Sequence, residues 1–480
     1  MNKLAGLKPE SVFRYFEEIA SVPRGSGDRE KISNYCMAFA EDHGLRAVQD
    51  SAYNVIIYKD GTPGYENAEP VILQGHLDMV CQKEEDREID FLNDGLELEI
   101  DGDFVKAKGT TLGADNGIAV AMALAILDSE DIPHPPLEVV FTTDEEVGML
   151  GAVELDMSLL KGRKMLNMDS DDAEVLTVSC AGGSEFSLEV SALREERPGV
   201  AVSLSVKGLR GGHSGIEIDK GRVNANVCMA RLLNHIQKTV DFNILSIDGG
   251  DKSNAIPLVS TAVLVTDSPE ELEKAAMEYG EVLKAEYVGR EPEFYLESKI
   301  LEEKSYSCLT EELTRQMIFV LLCAPNGVVE MSEEIENLVE TSLNLGVLQT
   351  ENDKIVLRFA LRSNKESALR GLEEKLQTFA TCMEGTAKLF GQYPPWEYKN
   401  DSVMQNLYRE VYREKTGREV KVEAIHAGLE CGIFSSALSG LDCISMGPQM
   451  YDIHTTGERL SISSTREIFE VVKEVLKRCK

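Results

Sequence analysis

The run Val71-Ile72-Leu73 is apolar at every position. A strand reads that way where both of its faces are covered, as in a parallel sheet flanked by helices. Residues 137–143, 164–168 and 443–446 repeat the style, and residues 53–58 read as a further strand. Residues 118–127 are apolar nearly all round, as in a helix packed deep against such a sheet. Residues 9–20 place Val12, Phe13, Phe16 and Ile19 on one helical face, with proline at the start. Residues 468–476 form a terminal amphipathic helix. This alternation predicts an α/β fold: a mostly parallel central sheet with helices on both faces.

The middle of the chain follows a different rule. Val202, Leu204 and Val206 alternate with Ser203, Ser205 and Lys207, the pattern of a sheet with one face in water. Helices are expected at 221–238 and 269–284, a strand near 293–297, a helix near 311–322, strands near 338–344 and 355–362, and a helix near 367–390. The order reads as two consecutive α+β units of ferredoxin-like type, about 186–290 and about 291–391. The chain re-enters its first domain near Tyr393-Pro394-Pro395-Trp396, a linker-like stretch. Residues 1–185 and 392–480 are thus expected to form a discontinuous catalytic domain, and 186–391 an inserted one. A length of 480 residues suits two domains.

The balance of 49 basic against 83 acidic residues gives a net charge of -34. Phosphate-bearing partners would be repelled, which argues against nucleic acid and anionic membranes. Ten scattered cysteines without a CxxC pair fit structural thiols in a reducing compartment. No stretch approaches the apolar length of a membrane span, and residues 1–14 do not read as a signal peptide. The expected location is the cytoplasm.

Acids and histidines gather where the apolar strands end. His76 and Asp78 follow the first of them, spaced to lie on one side of extended chain. In that arrangement Asp78 can accept the second ring N–H of a ligating His76. Asp115 stands in the glycine-rich turn Gly113-Ala114-Asp115-Asn116-Gly117 before the apolar helix; alone it reads first as an N-cap carboxylate, and its functional reading is a carboxylate bridging two cations. Glu145 and Glu146 follow Val139-Val140-Phe141, where consecutive acids repel unless a cation is near. Asp169 ends another strand, and His454 lies in a distant loop; each alone reads as a solvated loop residue. Together they form an imidazole–carboxylate donor set without thiolate. That set suits two divalent metal ions, Zn²⁺ first, with Mn²⁺ or Co²⁺ as alternatives.

These segments carry a resemblance. His76-Leu77-Asp78, Gly113-Ala114-Asp115-Asn116-Gly117, Asp144-Glu145-Glu146-Val147-Gly148, Asn167-Met168-Asp169, Gly211-Gly212-His213-Ser214-Gly215, His426-Ala427-Gly428-Leu429-Glu430-Cys431-Gly432 and Ile453-His454 resemble the motifs of the zinc aminopeptidase-like dipeptidases. Within them the chain looks most like the aminoacyl-histidine (Xaa-His) dipeptidases. The resemblance implies that His76, Asp115 and Asp169 hold one metal, and that Asp115, Glu146 and His454 hold the other. It implies a cis Asp115–Asn116 bond, orientation of His76 by Asp78, and Glu145 as general base. It makes the inserted domain a lid, on which His213 stabilises the oxyanion and Asn254 and Arg362 bind the substrate's carboxylate, with Arg358 a lesser candidate. Gly428 would face the substrate through its backbone. His43, His134 and His235 match no motif and are expected to be structural or on the surface, and His426 is unassigned. The implied activity is hydrolysis of dipeptides, Xaa-His with broader tolerance. The rivals are an N-acyl-amino-acid deacylase or tripeptidase on the same scaffold, and a metal-dependent binding protein without catalysis. A homodimer is compatible with the resemblance.

Overall fold

The computed structural model describes residues 3–480. The chain divides into two compact units. The first comprises the residues up to Cys180 together with Tyr398–Ala424 and Leu429–Lys480; the second comprises Ala181–Glu397 and Ile425–Gly428. The sequence-based boundaries at 185 and 392 carry no hint of the short return at 425–428.

The first unit is built on an eight-stranded sheet. Its heart is parallel: Leu137–Thr142, Val71–His76, Lys164–Asn167 and Asp442–Ser445 lie side by side in that order. Antiparallel neighbours, among them Val55–Lys59 and Val175–Cys180, flank it. The register pairs His76 with Thr142 and Gln74 with Asn167. Parallel strands in this register end together, so the residues that follow them emerge at one edge. The helix Ala114–Asp128 is buried at every position from Asn116 to Leu127, as its all-round apolarity predicts. A small four-stranded sheet joins Leu98–Asp101 and Phe104–Ala107 to the hairpin Met450–Tyr451 and Arg459–Ser461, which presents His454 at its tip.

The second unit is one nine-stranded sheet, and its pairing corrects the sequence reading. Arg194–Lys207, Asn243–Gly249, Ser260–Thr266 and Tyr295–Leu309 pair among themselves, with the helices Ala225–Ile236 and Pro269–Tyr287 between them in sequence. Gly182–Ser191, Val339–Thr350, Lys354–Ser363 and Thr386–Tyr393 make the other half, with the helices Glu311–Cys323 and Glu366–Cys382. Each half runs strand-helix-strand-strand-helix-strand, the ferredoxin-like order; the ninth strand, Gly327–Met331, is an addition that pairs with Val339–Thr350. The halves are nested rather than consecutive: residues 194–309 interrupt the other half after its first strand. The helix expected over 367–390 ends at Cys382. Glu384 adopts positive φ beside Gly385, a helix-stop geometry, and Thr386–Tyr393 continues as an edge strand on Gly182–Ser191. A single core of Leu, Val, Ile and Phe side chains runs through both halves. Among the described residues, no helix is long and apolar enough to cross a membrane.

Candidate metal centre

The edge where the parallel strands end collects the predicted donors of the first unit. His76 Nε2 lies 3.1 Å from Asp115 Oδ1 and 3.5 Å from Asp169 Oδ1. His454 Nε2 lies 3.1 Å from Asp115 Oδ2 and 2.9 Å from Glu146 Oε1. The two oxygens of one carboxylate therefore face two imidazoles, each of which faces a second acid. Donor atoms of His76, Asp115 and Glu146 all fall within 4.8 Å of one another. The Asp115–Asn116 peptide bond is cis. Asn116 accepts the His76 N–H at 3.2 Å and donates to the Met168 carbonyl at 2.9 Å.

Asp78 has a wider role than orienting one ring. Its Oδ1 lies 3.4 Å from His76 Nδ1. The same carboxylate accepts the backbone N–H groups of Glu145 (3.0 Å) and Glu146 (3.3 Å) and the Ser26 hydroxyl (2.8 Å). One buried acid thus positions a candidate ligand and the loop that carries Glu145 and Glu146. Behind the strand ends, Glu430 accepts from Thr142 Oγ1 at 2.8 Å and from the Gln74 amide. Burial pushes Glu430 up to about 7.

Electrostatics mark the cluster as one that calls for positive charge. Burial raises Asp169 to about 6, and burial, with Asp169 and Glu430 nearby, lifts Glu145 well above the ordinary carboxylate range. Burial opposes ionisation of Asp115, but hydrogen bonds to His454 and His76 outweigh it and hold this acid low. Hydrogen bonds to Asp115 and Glu146 push His454 up to about 10. Once cations displace the ring protons, these imidazoles and carboxylates are donors that a pair of divalent ions could share.

Three residues here were assigned no role from the sequence. Arg24 is buried and donates to the carbonyls of Leu77 (3.0 Å) and Asp78 (3.1 Å). Glu458 is buried and accepts backbone N–H groups from the turn around Asp115. Glu430 belongs to a quoted motif without a role. A signal for Glu458 existed: it is an acid four residues beyond His454.

The remaining predicted residues lie in the second unit. His213 pairs with Ala255, and Ser214 N–H donates to the Asn254 carbonyl at 2.9 Å. Asn344 donates to the carbonyls of Ser253 and Ala255, both at 2.8 Å, and so fixes the loop around Asn254. Arg362 donates to the Tyr393 hydroxyl at 2.9 Å. His426 is buried between Ser342 Oγ (2.7 Å) and Asn364 Oδ1 (3.3 Å). Burial, with the Arg362 charge nearby, lowers His426 to about 3 and also lowers His213. A neutral, doubly bonded His426 anchors the segment that ends at Gly428. Arg358 is exposed. His134 is buried, His43 stacks on Phe39, and His235 stacks on Tyr279.

A parallel-sheet edge bearing two imidazoles around a shared carboxylate defines an α/β protein with a candidate dinuclear metal centre. The chain belongs to peptidase family M20/M25/M40, whose model matches residues 72–478. It is 35% identical over 482 aligned positions to the cytosol non-specific dipeptidase of Escherichia coli (strain K12), covering 99% of each chain. It is also similar to the crystal structure of the aminoacylhistidine dipeptidase from Vibrio alginolyticus. That match has a TM-score of 0.92 and 36% identity, covering 99% of this chain and 97% of that one. An aminopeptidase from Bacillus cereus shares the fold at a TM-score of 0.57 and 14% identity, covering 98% and 99%.

Proposed function

We propose that this chain is a metallodipeptidase, acting on Xaa-His dipeptides with tolerance for others. The observation that carries it is the Asp115 carboxylate, whose two oxygens stand 3.1 Å from His76 and from His454 respectively. In this reading His76, Asp115 and Asp169 hold one ion, and Asp115, Glu146 and His454 hold the other, with Zn²⁺ the best match to the donors. Bound cations would polarise the scissile carbonyl and lower the pKa of water. Glu145 takes the proton from that water and returns it to the leaving amine, and a carboxyl whose pKa is raised by burial suits both transfers. Asp78 keeps Glu145 in place through its backbone N–H.

The second unit, in the role of lid, supplies recognition. Arg362 binds the substrate carboxylate, His213 and the Gly428 backbone serve the reacting carbonyl, and Asn254 completes the carboxylate site. Tyr393 aims Arg362: its ring lies over Gly183, where a Cβ would meet the hydroxyl at 2.5 Å. R362A should raise KM for free dipeptides by about 10–100-fold, since a hydrogen bond to a charged group contributes about 1.5–3 kcal/mol. C-terminally amidated dipeptides should be nearly indifferent to the change. Y393F should shift KM in the same direction by less, with kcat almost unchanged. Equal loss on acids and amides would remove Arg362 from carboxylate binding.

The proposed activity is tested by stripping metal with a chelator, restoring Zn²⁺, and assaying matched Xaa-His dipeptides, tripeptides and N-acyl amino acids. Zn²⁺-restored cleavage confined to dipeptides supports the reading. Preference for acyl amino acids or tripeptides would replace it with another amide hydrolase, and no turnover with metal bound would leave a binding protein.

A further inference from the structure

Glu458 is 2% exposed, and its carboxylate takes the backbone N–H groups of four consecutive residues. Oε2 accepts from Leu112 (2.7 Å) and Gly113 (2.9 Å), and Oε1 accepts from Ala114 (2.8 Å) and Asp115 (3.3 Å). These groups form the turn that leads into the helix Ala114–Asp128: the backbone is non-helical at Asp115 and Asn116, so their N–H groups are not served by regular helical bonding and need another acceptor. An ordinary N-cap is supplied by the residue just before the helix. Here no such side-chain cap is made by Gly113, and the acceptor arrives from 343 residues further along the chain. On the other side of the same turn, buried Arg24 donates to the Gly113 carbonyl as well as to those of Leu77 and Asp78. Gly113 has a φ of +64°, and a Cβ there would collide with Arg24 Nη2. Three separate segments are thereby fastened together: His76–Asp78, Gly113–Asp115 and His454–Glu458. Each carries a proposed metal ligand.

We infer that Glu458 is a positioning residue of the metal centre. It sets the place and orientation of Asp115 and ties to it the loop that presents His454. The inference rests on the reading of Asp115 and His454 as ligands. The requirement is for a carboxylate, which offers acceptors on both oxygens and no donor. Glutamine would keep one acceptor oxygen and turn an amide N–H toward backbone N–H groups. Alanine would leave the turn without acceptors beside the guanidinium of Arg24.

The test compares E458A and E458Q with E138A. Glu138 is a matched control: it is 4% exposed in the same unit, and it accepts backbone N–H groups of Lys161 (3.0 Å) and Gly162 (2.9 Å) at the opposite end of the parallel strands. Each full-length protein is stripped of metal, melted, titrated with Zn²⁺ against a chromogenic chelator, and loaded with Co²⁺ for its visible spectrum. E458A should bind Zn²⁺ about 10–100-fold more weakly, the usual effect of losing a group that orients ligands, with an altered Co²⁺ spectrum. E458Q should fall between. E138A should melt earlier and keep wild-type affinity and spectrum. Wild-type metal affinity and spectrum in folded E458A would overturn the inference, and where E458A does not fold, the same result in E458Q would do so. D115A in the same titration separates the two levels. If D115A loses the metals while both Glu458 variants keep them, the positioning role alone fails. If D115A keeps both ions with wild-type affinity, the ligand reading fails and takes the inference with it.

Discussion

Replacement of Glu145 by glutamine is expected to lower kcat by about 10²–10⁴-fold, the contribution of a positioned general acid–base group, while metal content stays at the wild-type level. The expectation follows from where the side chain is held. Asp78 accepts the Glu145 N–H at 3.0 Å, and the candidate ligands His76, Asp115, Glu146 and Asp169 make their own contacts without the Glu145 carboxyl. Glutamine keeps the shape and removes the proton-carrying oxygen. Metal analysis alongside steady-state kinetics separates the outcomes. Full activity would dismiss Glu145 as the base, and loss of metal together with activity would make it a ligand instead.

The second large effect is on Asp115. Its Oδ1 faces His76 and its Oδ2 faces His454, so D115A removes a donor from both sites at once. The substitution is expected to abolish turnover and to leave neither ion bound after gel filtration. D169A or H454A should each weaken one site more than the other. Both imidazoles would lose a partner in D115A, so the surrounding acids would face each other with less compensation. Retention of one ion with full strength in D115A would show that the carboxylate serves one site only.

Much of this candidate site was legible because its candidate ligands follow strands that can be recognised from their own residues. Val71-Ile72-Leu73 and Val139-Val140-Phe141 announce buried parallel strands, and the rule that such sheets present ligands at strand ends selects His76, Glu145 and Glu146. Asp115 was ambiguous for a physical reason. It stands at the start of a buried helix, where an acid has a structural use, and that use turns out to be filled by Glu458. Glu458 was passed over: an acceptor of backbone N–H groups leaves no pattern in the residues that donate them, and its one trace was its place four residues beyond His454. The nested halves of the second unit were missed for a similar reason. Gly182–Ser191 pairs with Lys354–Ser363, far away in sequence, and periodicity reports a strand's faces without naming its neighbour. The strand Thr386–Tyr393 was read as helix because the apolar pattern of Glu366–Cys382 was carried across Glu384-Gly385, where a positive φ ends it.

The most direct test of the shared carboxylate is anomalous diffraction at the zinc edge from crystals of the Zn²⁺-loaded protein. Two peaks about 3.5–4 Å apart should flank the Asp115 carboxylate, one beside His76 and Asp169, the other beside Glu146 and His454. A single peak, or a pair that leaves Asp115 on one ion alone, would contradict the account.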